Sequence, residues 1–355
     1  DHIYIKWRVQ NYYQGRLSQH LWEEIHFNFF FPVKERKYSL LIPKGYSIQT
    51  KTQFMSDEPE ISKTRDGLLH EWVLYDQPAI ESEYNTKNLD DYGKMLFIST
   101  IPDWEYLVDW YLDLAKTKTR SSYEVQEVVA ELLAGKPDIT DMAKIELIYN
   151  YITENIRYSS VSFRQSGLIP QKARDVLVQR IGDCKDVATL CISMLKEAGI
   201  PAHYVLVNTF KEGLNKDILP AIEFNHAIAG VETDQGLIYM DLTAQNYPIY
   251  SVPSGDRNAF ALSILPGTQA PHYLTPNYFS GRLSKRTSTV TLSEDNSAVI
   301  ERNTVKSGSA GASLRNTYRF MGEEDRFDEL AEDLSRDYPN LVMNAFTIED
   351  VHVVD

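Results

Sequence analysis

Cysteine is nearly absent from this chain: Cys184 and Cys191 are the only two in 355 residues. Two thiols cannot build a disulfide framework or a cysteine-rich zinc cage. Neither Cys-x-x-Cys nor His-Glu-x-x-His occurs, and the eight histidines are scattered, so the sequence predicts no metal and no cofactor. Long apolar runs are also missing. Phe29-Phe30-Phe31 and Leu40-Leu41-Ile42 are among the longest, far short of the ~20 residues that span a bilayer. No charged leader followed by an apolar stretch opens the chain. Basic charge is in deficit, with 36 Lys and Arg against 50 Asp and Glu and a formal charge of −14. That balance repels phosphate backbones and anionic lipid, which excludes nucleic acid as the main partner. The chain starts at Asp1 and stops at Asp355 after a strand-like stretch, so a trimmed product without its targeting segment is expected.

What is present is the composition of a folded protein: 43% hydrophobic, 24% charged, with 22 Tyr and 5 Trp. The length predicts two or three domains and a core that needs no covalent staples.

Periodicity divides the chain into three. Residues 1–102 read as β. Ile3, Ile5, Trp7 and Val9 alternate with polar or amphipathic residues, the period-2 pattern of a half-buried strand. Further strands are predicted near 20–31, 37–42 and 69–75, with a turn at 43–45, which suggests an antiparallel sandwich or sheet. Residues 103–267 change period. Asp103 is placed to cap a helix carrying Trp104, Leu107, Val108, Tyr111, Leu112 and Ala115. A second helix runs from Tyr123 to Ala134 and stops at Gly135, and a third opens at Thr140 and reaches Asn155. Residues 268–355 return to β, with a hairpin around Glu294-Asp295-Asn296 and one short helix over about 323–336. The fold class predicted is α+β, with β-rich regions on both flanks.

The chemistry is expected in Gly182-Asp183-Cys184-Lys185-Asp186. Residues 184, 187, 188, 191, 194, 195 and 198 form one apolar helix face, and Asp183 stands at the N-cap. A cysteine in the first helical turn meets the positive end of the dipole, which favours thiolate. A free cysteine on an apolar face is more often a small core residue, and Cys191 is assigned to the core on that ground. Seven residues of helix rise separate the two sulfurs' Cα atoms by roughly 10 Å, beyond the ~7 Å that a disulfide tolerates. Downstream, His226 opens one strand-like segment and Asp241 closes the next, with a tight turn at 233–236 between them. Cys184, His226 and Asp241 therefore form a coherent nucleophile, base and orienting acid. The Cys184 backbone N–H would stabilise an oxyanion, with Gln165, Tyr158 or Gln171 as side-chain candidates and Gln165 preferred. Tyr247 to Tyr250 fits either a groove lining or core packing, and core packing is the expectation.

These segments carry a resemblance. From about Thr140 to Thr243 the chain resembles the transglutaminase-like core, a papain-like fold shared by transglutaminases, cysteine peptidases and amidases. The resemblance rests on Ile156-Arg157-Tyr158, Pro170 to Leu177, the Gly182 to Asp186 run, Ala198-Gly199-Ile200-Pro201-Ala202, Asn225-His226 and Asp241-Leu242-Thr243. It implies the triad roles for Cys184, His226 and Asp241. Leu242 departs from the proline frequent at that place. Trp72 to Glu83 and Ser99-Thr100 resemble the β domain of unknown function that precedes this core in exported bacterial proteins, here apparently short of its first strands. That implies a periplasmic or otherwise exported Gram-negative location.

The activity expected is cysteine-dependent hydrolysis of a peptide or protein amide through a thioester. Amine transfer of the transglutaminase type and a non-catalytic envelope scaffold or binding module are the alternatives. A metal enzyme using His226 and Asp241 lacks a third spaced ligand. Oligomeric state is not legible.

Overall fold

The structure is a computed structural model. It describes residues 3–6, 8, 15–55, 58–83, 89–160, 168–212, 218–234, 236–249, 251–275, 283–295, 297–352 and 354.

The first hundred residues form two small antiparallel sheets. Strands β1 (Trp22–His26), β2 (Val33–Pro43), β3 (Gln49–Gln53), β4 (Glu60–Lys63) and β5 (Gly67–Gln77) precede a one-turn helix, α1 (Leu89–Tyr92), and β6 (Met95–Ser99). The sheet orders are β1-β6-β3 and β2-β5-β4. Ile25, Phe27, Trp72, Leu74, Leu96 and Ile98 pack together between them, so both sheets bury one face against a common apolar cluster. The strand expected at residues 3–9 does not form among the described residues there. Ile3 and Ile5 are exposed and carry no ladder, because alternation alone supplies no partner strand.

The helices start where the sequence places their caps. Asp103 accepts from the Tyr106 N–H ahead of α2 (Trp104–Ala115), and Ser122 from that of Val125 ahead of α3 (Tyr123–Leu133). Thr140 accepts from the Ala143 N–H ahead of α4 (Asp141–Asn155). Each such cap contributes about 1 kcal/mol. Gly135 takes φ +72°, the left-handed conformation in which a chain leaves a helix without Cβ strain.

Next come β7 (Arg157–Tyr158), α5 (Ala173–Gln179), β8 (Ile181–Gly182) and the central helix α6 (Cys184–Glu197). A five-stranded antiparallel sheet follows, built from β9 (Ala202–Glu212), β10 (His226–Thr233), β11 (Gly236–Met240), β12 (Ala259–Ser263) and β13 (His272–Tyr273). Its order is β11-β10-β9-β12-β13. Alternation gives Tyr204, Leu206, Ala227, Ala229 and Met240 to the cluster around α6. Val205, Val207, Ile228, Tyr239 and Ala261 go to a second cluster on the far face.

Helix α6 is buried all round from Cys184 to Leu195, not on one face as its apolar stripe predicts. Its polar residues find local partners. Lys185 pairs with Asp183, and the Thr189 hydroxyl reaches the Lys185 carbonyl at 2.6 Å and the Tyr204 hydroxyl at 2.7 Å.

The tail holds the hairpin β14 (Leu283–Leu292) and β15 (Ala298–Ser307). It also holds two helices, α7 (Ser309–Tyr318) and α8 (Glu323–Asp337), where one is expected. No described residue after α8 is in a strand. Among the described residues no helix is long and apolar enough to cross a membrane.

Candidate active site

The Gly-Asp-Cys run is locally determined. The Asp183 side chain accepts from the Asp186 N–H at 3.3 Å, and Asp186 accepts from the Asp183 N–H at 3.1 Å, a closed capping box. A Cβ on Gly182 would stand 2.8 Å from the Asp186 Cβ, so only glycine lets the box close against β8. Asp186 also accepts from the Gln171 backbone N–H at 2.7 Å and its side-chain amide at 2.8 Å. Gln171 thereby holds the helix start. The result is a rigid first turn with Cys184 at its head, 4% exposed.

The β10–β11 hairpin brings the other two residues together. Ala229 pairs with Met240 and Thr233 with Gly236, which leaves His226 and Asp241 at the end of the sheet, where α6 begins. His226 Nε2 lies 3.2 Å from Asp241 Oδ2. The other Asp241 oxygen accepts from the Thr243 N–H at 2.9 Å and its hydroxyl at 2.7 Å. Cys184, at the head of α6, is close enough to His226 to act on its titration. The structure brings His226 and Asp241 into contact, with Cys184 at the start of the neighbouring helix.

The electrostatics follow from burial and contact. Burial alone would lower the proton affinity of His226. The Asp241 charge and hydrogen bond override it, and the imidazole titrates well above its ordinary range. Burial raises Asp241, yet the His226 charge and the Thr243 donors leave it below the usual carboxylate range.

Tyr158 also reaches the site. Its strand pairs in parallel with β8, opposite Gly182. Burial, then the neighbouring Cys184, raises its phenol, so the hydroxyl keeps its proton and remains a donor. Gln165 lies outside the described residues.

A cleft of about 680 Å³ opens beside the imidazole. Arg157, Tyr158, Thr209, Asn225, His226 and Asp241 line one part of it, and Asp256 and Asn316 another. Tyr247 belongs to this lining too, not to the core as expected from sequence. Asn225 is fixed there, accepting from the Thr209 N–H at 3.0 Å and donating to its hydroxyl at 2.9 Å. Cys184 is not among the lining residues.

Asp256 is the residue that sequence reasoning misses. It falls in Pro253-Ser254-Gly255-Asp256, which reads only as a turn, and it is 2% exposed. One donor-type atom each from His226, Asp241 and Asp256 lie within 4.8 Å of one another. Asp256 supplies the third ligand that the sequence lacks for a metal reading. A cation there would have to displace the His226–Asp241 hydrogen bond. Two carboxylates this close repel by roughly 3 kcal/mol at an effective dielectric of about 20. Burial first, then the Asp241 charge, pushes Asp256 up to about 8.

The transglutaminase-like superfamily model matches residues 126–242 of this chain. A solved structure from Parabacteroides distasonis, described as a "putative protease", superposes with a TM-score of 0.55 at 20% identity. The match covers 76% of this chain and 49% of that one, so this chain spans about half its length. That likeness supports the fold. A "putative cysteine protease" from Cytophaga hutchinsonii gives a TM-score of 0.30 at 13% identity, over 81% of this chain and 92% of that one. No curated protein matches.

Proposed function

We propose that this chain, whose residues 126–242 form a transglutaminase-like domain, is a cysteine-dependent hydrolase of peptide or protein amides. The observation that carries this reading is the 3.2 Å contact of His226 Nε2 with Asp241 Oδ2, next to Cys184 at the head of α6.

With Nε2 turned to Asp241, Nδ1 is the ring nitrogen left to exchange a proton with Cys184. The thiolate attacks the amide carbonyl, and the tetrahedral oxyanion meets the Cys184 N–H at the start of α6, where the helix dipole favours negative charge. The Tyr158 hydroxyl is the side-chain donor of this proposal. His226 then protonates the departing amine, leaving a thioester on Cys184. A water molecule, deprotonated by His226, attacks the thioester carbonyl and releases the acid and the free thiol. Asp241 keeps the imidazole oriented and stabilises its charged form throughout.

Peptide amide hydrolysis with a trapped Cys184 adduct tests this. Activity should vanish in Cys184→Ala and persist in a chelator. Loss of activity on chelation would favour a metal at His226, Asp241 and Asp256 instead. Added alkylamines partition the thioester; product that is mostly amide would assign amine transfer rather than hydrolysis.

The 4% exposure of Cys184 favours a second reading, a binding module that keeps the fold without turnover. Failure of iodoacetamide to label Cys184 in the folded protein would select it. The exported location belongs to this proposal as well, and recovery of the natural protein from cytosol would remove it.

A further inference from the structure

We propose that Asp256 is a positioning residue, a carboxylic acid that donates a hydrogen bond to Asp241 and so sets the charge that reaches His226.

The geometry carries the argument. Asp241 and Asp256 are 4% and 2% exposed, so neither is solvated as an ion. Asp256 Oδ2 is buried without any hydrogen-bond partner. A carboxylate accepts and cannot donate, so two adjoining carboxylates leave just such an orphan. One proton on Asp256 resolves both problems at once, because an O–H can donate to Asp241. Near Asp256 stand Asp241 after β11 and His226 of β10, and Arg157 and Tyr158 of β7 line the same cleft. Arg257, next in sequence, donates to the Ser309 hydroxyl at 2.9 Å. Among these groups only His226 offsets the acid pair directly.

The catalytic consequence rests on the hydrolase reading above. A carboxylate that receives a third strong donor is a weaker base toward its histidine. Neutral Asp256 therefore eases the His226 proton toward a leaving group. Ionised Asp256 does the opposite, since its charge raises His226.

The test reads the imidazole and needs no substrate. His226 is titrated by carbon-edited NMR in wild type, Asp256→Asn and Asp256→Leu, with the signal assigned through His226→Gln. Asn keeps a neutral donor but cannot ionise, so its midpoint should lie at or below that of wild type. Leu keeps the volume without the donor, and its midpoint should lie about one unit above that of Asp256→Asn. Wild type should also show a second inflection of the His226 signal between about pH 7 and 9, absent in Asp256→Asn; this holds even if the Leu variant does not fold. Three superimposable titrations, or an inflection that persists in the Asn variant, would overturn the proposal. Absence of a Cys184 adduct during substrate turnover overturns the hydrolase reading alone.

Discussion

His226 Nε2 stands 3.2 Å from Asp241 Oδ2, while the backbone and hydroxyl of Thr243 hold the other Asp241 oxygen. The acid is thus aimed by a residue two positions along its own chain, and the histidine by the acid. Asp241→Asn removes the charge and keeps the shape. Burial is then opposed only by the smaller effects of Cys184 and Asp256, and the His226 titration should fall. Hydrolysis at neutral pH should drop by about 10²–10⁴. NMR titration and initial rates check both; an unchanged imidazole midpoint would refute the pairing.

The two cysteines should separate cleanly by reactivity. Burial pushes the Cys191 thiol far up, and no charged partner offsets it, whereas Cys184 has an imidazole beside it. Iodoacetamide on the folded protein should modify Cys184 alone, with Cys191 labelling only in denaturant. Peptide mass spectrometry reads the sites. Labelling of Cys184 should slow at least tenfold in His226→Ala, since the imidazole is the base assigned to its proton.

Acid should weaken the sheet through His203. This imidazole is 6% exposed, its Nε2 has no partner, and burial, aided by His272, pushes it down to about 4. The unfolded chain takes the proton near 6.5, so between those values it binds more protons than the folded one. Stability from this group is complete above pH 6.5 and is lost as pH falls toward 4, by about 3 kcal/mol. Urea midpoints from pH 7.5 to 4 should decline less steeply in His203→Leu than in wild type. Parallel curves would refute the assignment.

Gly230 pairs with His203 across β9 and β10. A Cβ there would lie 2.7 Å from His203 Nε2 and 3.0 Å from the Val205 side chain. Gly230→Ala should cost about 1–3 kcal/mol, and much of that should return in Gly230→Ala with His203→Ala, which vacates the colliding ring. Equal additive losses in denaturant titrations would show that the strand, rather than the contact, is at fault.

Sequence reasoning succeeded where a local signal and its structural cause coincide. Asp103, Thr140 and Asp183 cap the helices that their positions predict. The Thr233–Gly236 pair closes the hairpin in the register that places Asp241 beside His226. It failed where burial depends on neighbours far along the chain. Lys185, Asp186, Thr189 and Ser193 look like an exposed stripe, yet α3, α4, α5 and the sheet enclose α6 on every side. Asp256 has the residue type and sequence setting of any turn acid; only the fold carries it to Asp241. Ile3 and Ile5 show the reverse case, an amphipathic pattern with no described strand to pair with.

The segment 126–242 that matches the superfamily stops short of β12, which lies between β9 and β13 in the sheet. Phe260 and Leu262 of that strand pack on the α6 side, and Ala261 on the other. A fragment trimmed to the matched segment would turn β9 into an open edge, prone to pairing with other chains. It would also lose Asp256 and, from α7, Asn316 of the cleft wall. The unit that recurs in sequence is therefore smaller than the unit that folds, and grafting or minimising this domain has to carry the chain at least through α7.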